Sequence, residues 1–114
     1  MKAAVVEGPN KLVVRDLEKP QPGKYEVLVE LLFGAICSGT DSHIVECNFP
    51  FLGKLPTLLG HESIGRVIEI GPKVRNFAVG DLLTRVGAPA TDEYSLTCGG
   101  FAEDGIARDH FALE

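Results

Sequence analysis

Gly60-His61-Glu62-Ser63-Ile64-Gly65-Arg66-Val67-Ile68-Glu69-Ile70-Gly71-Pro72 says two things about the chain. Over Ser63–Ile70 the apolar Ile64, Val67, Ile68 and Ile70 alternate with Gly65, Arg66 and Glu69, which fits a β-strand. Gly71-Pro72 ends that strand, because proline fixes φ and removes a donor. Immediately before it, His61 and Glu62 set an imidazole beside a carboxylate. Neighbours on an ideal strand face opposite ways. Both can serve one site only if the backbone bends there, and Gly60 permits the bend.

Working outward, short apolar runs lie between glycines and prolines along the whole length, which suits a mainly β barrel with tight turns. Lys2–Val6 and Lys11–Leu17 read as a hairpin across Gly8-Pro9-Asn10. Pro20-Gln21-Pro22-Gly23 is a stiff break before Glu26–Phe33, whose Val27, Val29 and Leu31 alternate with Leu28, Glu30 and Leu32 and predict a strand buried on both faces. Gly39–Cys47 is a helix candidate, capped by Thr40 or Asp41, with Ile44 and Val45 as its apolar face. Asn48–Thr57, with Pro50, Gly53 and Pro56, reads as a loop. Val79–Val86 predicts a strand entered through a turn at Gly80-Asp81, and Gly99–Glu103 with Ile106–Leu113 closes the chain. Without repeats, low-complexity tracts or linkers, residues 1–114 form one domain.

Bulk properties narrow the function. A chain of 114 residues can bury a core without staples. A net charge of −5 argues against nucleic acid, which needs a cationic stripe, and against an anionic membrane surface. No apolar run approaches the roughly 20 residues of a spanning helix. The apolar part of Met1–Gly8 is too short for a signal peptide and reads as the first strand. Cys37, Cys47 and Cys98 are odd in number and widely spaced, which points to a reducing cytoplasm rather than a disulfide framework.

Cys37 and His61 are a plausible zinc pair, since zinc takes both thiolate sulfur and imidazole nitrogen. Glu62 could add an oxygen ligand or support the ligands from behind. On spacing alone an inert buried cysteine competes with this reading. Cys47 and Cys98 read as small buried hydrophobes, His110 as a surface or satisfied histidine, and Asp41 as a helix cap or turn residue.

Taken together, Gly60-His61-Glu62 ahead of Gly65-x-Val67-x-x-x-Gly71-x-x-Val74-x-x-Phe77-x-x-Gly80-Asp81 resembles the zinc signature of medium-chain alcohol dehydrogenases. Ala35-Ile36-Cys37 with Thr40-Asp41-x-His43 resembles that family's ligand-cysteine segment, and Gly99-Gly100-Phe101-Ala102-Glu103 its Gly-Gly-Phe-Ala-Glu strand. The resemblance runs nearly the full length. It implies a GroES-like β-barrel that carries a catalytic zinc, beside a separate Rossmann domain that binds NAD or NADP. It implies Cys37 and His61 as zinc ligands, with Glu62 as an intermittent ligand or supporting carboxylate. It further implies Thr40 as the hydroxyl on the substrate oxygen and His43 as a later member of a proton relay. The implied reaction moves hydride between a small-molecule alcohol and the nicotinamide. A sugar alcohol, an amino-acid alcohol or a simple secondary alcohol would each be compatible with it.

The chain departs from the family pattern in places. The Cys-to-Thr spacing is one residue longer than usual, so alignment on Thr40-Asp41 puts the ligand position at Ser38, unless a bulge at Gly39 returns it to Cys37. Asp104 follows Glu103, where relatives usually carry an aromatic residue. Leu82–Cys98 holds one cysteine where many relatives hold four, which implies no structural zinc. No Gly-x-Gly-x-x-Gly stretch occurs, so a Rossmann domain and the remaining zinc ligand are expected outside these residues. The chain alone should then bind zinc weakly, show no hydride transfer, and self-associate through the face meant for the missing domain. The parent protein is expected to be a homo-oligomer. Two rivals are a zinc-free quinone-reductase-like member, which commonly lacks the cysteine and the Gly-His-Glu string, and a GroES-like co-chaperonin, which needs a mobile apolar docking loop.

Overall fold

The computed structural model describes residues 1–47, 55–84, 95–96 and 101–112. Among them, strands β1 (Lys2–Gly8), β2 (Lys11–Asp16), β3 (Glu26–Ala35), β4 (Thr57–Leu58), β5 (Glu62–Ile70), β6 (Leu82–Thr84), β7 (Ser95–Leu96) and β8 (Asp104–Arg108) surround one helix, α1 (Ser38–Val45). Two four-stranded sheets result, ordered β2-β1-β4-β7 and β6-β5-β3-β8. This is the mainly β arrangement that the turn punctuation implied, but among the described residues the two sheets stay open rather than closing into the expected barrel.

Side-chain alternation in β1 explains how the layers share a core. Ala3 and Val5 face one cluster with Leu58 and Ala102, while Val6 points the other way into a cluster with Ile44 and Leu59. Val27, Val29 and Val67 form a third cluster between β3 and β5, backed by Val74, Phe77 and Leu83. The segment 101–103 stitches the sheets together. Ala102 bridges Ala3, the Glu103 amide donates to Lys2 O at 3.0 Å, and the Leu31 amide donates to Glu103 O at 2.9 Å.

The hairpin forms as read, with Gly8 opposite Lys11 and Asn10 at φ 58. Asn10 also donates its amide to Val45 O at 2.7 Å, docking the turn on the end of α1. Several boundaries differ from the expectations. β3 is buried on both faces only at Val27, Leu28 and Val29; beyond them Phe33 is 75% exposed. Thr57 belongs to a short strand paired with Val6 rather than to a loop. The strand expected over Val79–Val86 begins at Leu82, after a turn that includes Gly80, and positions 85 and 86 lie outside the described residues.

Within the closing segment the last strand ends at Arg108, where Asp109 turns inward and collects four donors. Its Oδ2 accepts from the Arg75 and Asn76 amides at 2.8 and 2.9 Å, and its Oδ1 from Asn76 Nδ2 and the Ala112 amide at 2.8 and 3.2 Å. Burial alone would raise this carboxyl. The hydrogen bonds from Arg75, Asn76 and Ala112 outweigh it and bring the pKa down to about 2. No helix among the described residues is long and apolar enough to cross a membrane.

Candidate metal centre

Strand register puts the candidate ligands in one place. β3 and β5 are antiparallel, with Gly34 opposite Ser63 and Ala35 opposite Glu62. The chain therefore leaves β3 towards Cys37 at the same corner where Gly60-His61 enters β5. Gly60, at φ +100, takes the left-handed conformation that a side chain resists, and makes the bend that lets His61 and Glu62 serve one side.

At this corner Cys37, His61 and Glu62 each offer a ligand atom, and the three atoms lie within 4.8 Å of one another. Cys37 and His61 are half-buried and Glu62 is exposed. The sulfur, nitrogen and oxygen set suits zinc. Bonds of about 2.0–2.3 Å to a common tetrahedral ion place ligand atoms on the order of 3.3–3.8 Å apart. The observed spread closes to that with side-chain shifts of about 1 Å, so the residues fit the ion.

Cys37 reaches the cluster from a helix start rather than through a bulge. Cys37 is the N-cap of α1, extended at φ −93 and ψ 99, and Gly39 lies within the helix. The expected caps, Thr40 and Asp41, are both inside the first turn, and Cys37 caps without a side-chain hydrogen bond. Ser38, the position reached by aligning on Thr40-Asp41, is exposed and outside the cluster.

Asp41 does more than the sequence suggested. It is 4% exposed, and its Oδ2 accepts the Cys37 amide at 3.0 Å. Its Oδ1 lies 3.3 Å from His61 Nδ1. That approach is within ion-pair range but is not aligned as a hydrogen bond, and neither buried atom has a hydrogen-bond partner among the described residues. The two atoms face each other without a made hydrogen bond, and an Nδ1 proton donated to Oδ1 would satisfy both. One carboxylate thus spans both candidate ligands. A proton held on Nδ1 leaves Nε2 as the free lone pair, the arrangement by which carboxylates orient metal-binding histidines. The readable signal was its spacing, one helical turn after Cys37 and so close to it in space.

Thr40 is half-buried in the first turn of α1, and His43 is exposed three residues on. Cys47 is half-buried with φ 62 at the end of α1 and packs against the Val6–Ile44–Leu59 cluster, a packing role as read. His110 is exposed, and Cys98 lies outside the described residues.

The family model of the alcohol dehydrogenase GroES-like domain matches residues 23–113. An alcohol dehydrogenase of Geobacillus stearothermophilus is 44% identical over 90 residues, covering 78% of this chain and 26% of that protein. Glucose 1-dehydrogenase 1 of Vulcanisaeta moutnovskia is 36% identical over 115 residues, covering 92% and 32%. Among solved structures, a protein described as a zinc-binding dehydrogenase of Sinorhizobium meliloti, bound to NADP, superposes with a TM-score of 0.74 at 29% identity, covering 94% of this chain and 36% of that one. The chain spans between a quarter and a third of the length of the curated relatives named here.

Proposed function

Because the chain belongs to the alcohol dehydrogenase GroES-like domain family, we propose that it is the metal-site portion of a zinc-dependent oxidoreductase that moves hydride between an alcohol or polyol and NAD or NADP. The observation that carries this is the meeting of Cys37, His61 and Glu62 within 4.8 Å at one corner of the sheet. The alcohol and sugar dehydrogenases among its relatives, and the NADP-bound neighbour, support the redox class.

Bound zinc supplies Lewis acidity to the substrate oxygen. The protein's own groups do the rest. The Cys37 thiolate and His61 imidazole would hold the ion, and Asp41 would keep the His61 proton on Nδ1. Exposed Glu62 is the ligand free to swing in and out. Thr40 presents a hydroxyl to the substrate oxygen. His43, three residues along the same side of α1 and in solvent, passes the proton outward. Leu82–Cys98 holds a single cysteine, so one zinc per chain is proposed. The nicotinamide is assigned to a Rossmann portion outside these 114 residues, and these residues alone should turn over no cofactor. A cytoplasmic setting is part of this reading, on the odd number and wide spacing of Cys37, Cys47 and Cys98. The clustered donors favour this reading over the zinc-free reductase and the co-chaperonin.

Calorimetric zinc titration of the protein and of Cys37→Ser and His61→Ala tests the metal part. One ion per chain, weakened at least tenfold in either variant, is expected; equal binding in all three contradicts it. For the redox part, this chain replaces the matching segment of the Geobacillus enzyme. NAD(P)H formation from alcohols, abolished by His61→Ala, is expected. A folded, zinc-loaded chimera inert to every alcohol and polyol would defeat the dehydrogenase assignment.

A further inference from the structure

The geometry points to Phe101 as a positioning residue whose ring sets the separation of Cys37 and His61; the inference rests on the metal reading above. Two glycines make room for this ring. A Cβ at Gly60, next to His61, would come within 2.7 Å of the ring's Cγ and 2.8 Å of Cδ1. A Cβ at Gly34, near the end of the strand that leads to Cys37, would sit 3.0 Å from Cε1 and 3.1 Å from Cδ1. The ring therefore lies directly against both ligand-bearing segments.

The backbone of Phe101 is fixed independently of its ring. Its amide donates to Leu59 O at 3.0 Å, and its carbonyl accepts from Ala4 N at 2.8 Å. The ring also packs against the cluster of Val6, Ile44 and Leu59, so it is braced by the helix that starts at Cys37. A flat, stiff side chain seated between the two notches holds the corner open to one width. Removing it lets the Gly60 turn and the end of β3 move relative to each other, and the two ligand atoms move with them. Supporting groups of this kind typically change metal affinity by about 10–100-fold.

Cobalt(II) absorption, with metal-free melting measured in parallel, tests this on the protein and on Phe101→Tyr, Phe101→Ala and Gly34→Ala. Phe101→Tyr keeps the flat ring and should retain the parent spectrum and affinity. Phe101→Ala should weaken cobalt binding about tenfold or more and shift the ligand-field bands. Gly34→Ala keeps the ring but pushes its edge by a few tenths of an ångström, and should shift the bands in its own right. If Phe101→Ala does not fold without metal, Gly34→Ala decides. Parent-like bands and affinity in the folded variants overturn the positioning role while leaving the metal site standing. A parent protein with no cobalt–thiolate band overturns the metal reading itself, a separate result.

Discussion

Asp41→Asn separates the two jobs assigned to one carboxylate. Asp41 accepts the Cys37 amide through Oδ2 at 3.0 Å and faces His61 Nδ1 through Oδ1 at 3.3 Å. Asparagine has one acceptor oxygen where aspartate has two. If that oxygen stays on the Cys37 amide, the NH2 group faces Nδ1. The neutral imidazole must then accept at Nδ1 and carry its proton on Nε2, which removes the lone pair a metal needs. If the amide turns over, His61 keeps its tautomer but the Cys37 amide faces a donor. Either way one contact is lost, and metal affinity should fall by about 10–100-fold, or about 1.4–2.7 kcal/mol. The metal-free protein should lose only about 1 kcal/mol, from the weakened contact at the helix start. Competitive zinc titration reads the first quantity, denaturation with a chelator present the second, and nitrogen NMR of the His61 ring the tautomer. Unchanged zinc affinity together with an unchanged tautomer would refute the reasoning.

Gly60→Ala should destabilise the metal-free protein by about 1–3 kcal/mol from backbone strain at φ +100 alone, before the clash of its Cβ with the Phe101 amide, as denaturant midpoints will show. Ile44→Ala empties a fully buried site at the helix–β1 contact and should cost about 2–5 kcal/mol in the same assay. The folded Asp109 carboxyl titrates at about 2, below the unfolded value of about 3.9, so its stabilising contribution is whole above that unfolded value and lost as pH falls through about 2. Asp109→Asn should therefore be less stable at neutral pH and show a flatter acid limb, measured by denaturation across that window. Val14 and Phe33, 68% and 75% exposed, line one shallow depression with Leu32, and self-association through that apolar surface should appear as a concentration-dependent sedimentation coefficient that Phe33→Ser lowers.

The parts of the fold set by local chemistry were readable. Gly60-His61-Glu62 announced a bend leading into a strand, and the Gly8-Pro9-Asn10 turn fixed a hairpin. The parts set by tertiary contacts were not. Leu31, Leu32 and Phe33 continue the apolar pattern of Val27–Val29, and nothing in that pattern says that burial thins at Leu31 and is lost at Leu32 and Phe33. The end of the last strand at Arg108 was not readable either, because the four donors that turn Asp109 inward come from Arg75, Asn76 and Ala112, mostly distant in sequence. At the site, the meeting of Cys37 with His61 was legible as a residue pair. Its mechanism was not, because a helix starting at Ser38, rather than a bulge at Gly39, delivers the cysteine. Asp41 was read as a cap, and it does hold the helix start. Its second oxygen, on His61, depends on the β3–β5 register, which no local pattern encodes.

Zinc-edge X-ray absorption of the zinc-loaded protein addresses the shared site most directly. The account predicts one sulfur at about 2.3 Å among nitrogen and oxygen ligands at about 2.0–2.1 Å, with the sulfur shell lost in Cys37→Ser and the imidazole scattering lost in His61→Ala. A zinc environment of oxygen and nitrogen only, unchanged by either substitution, would contradict it.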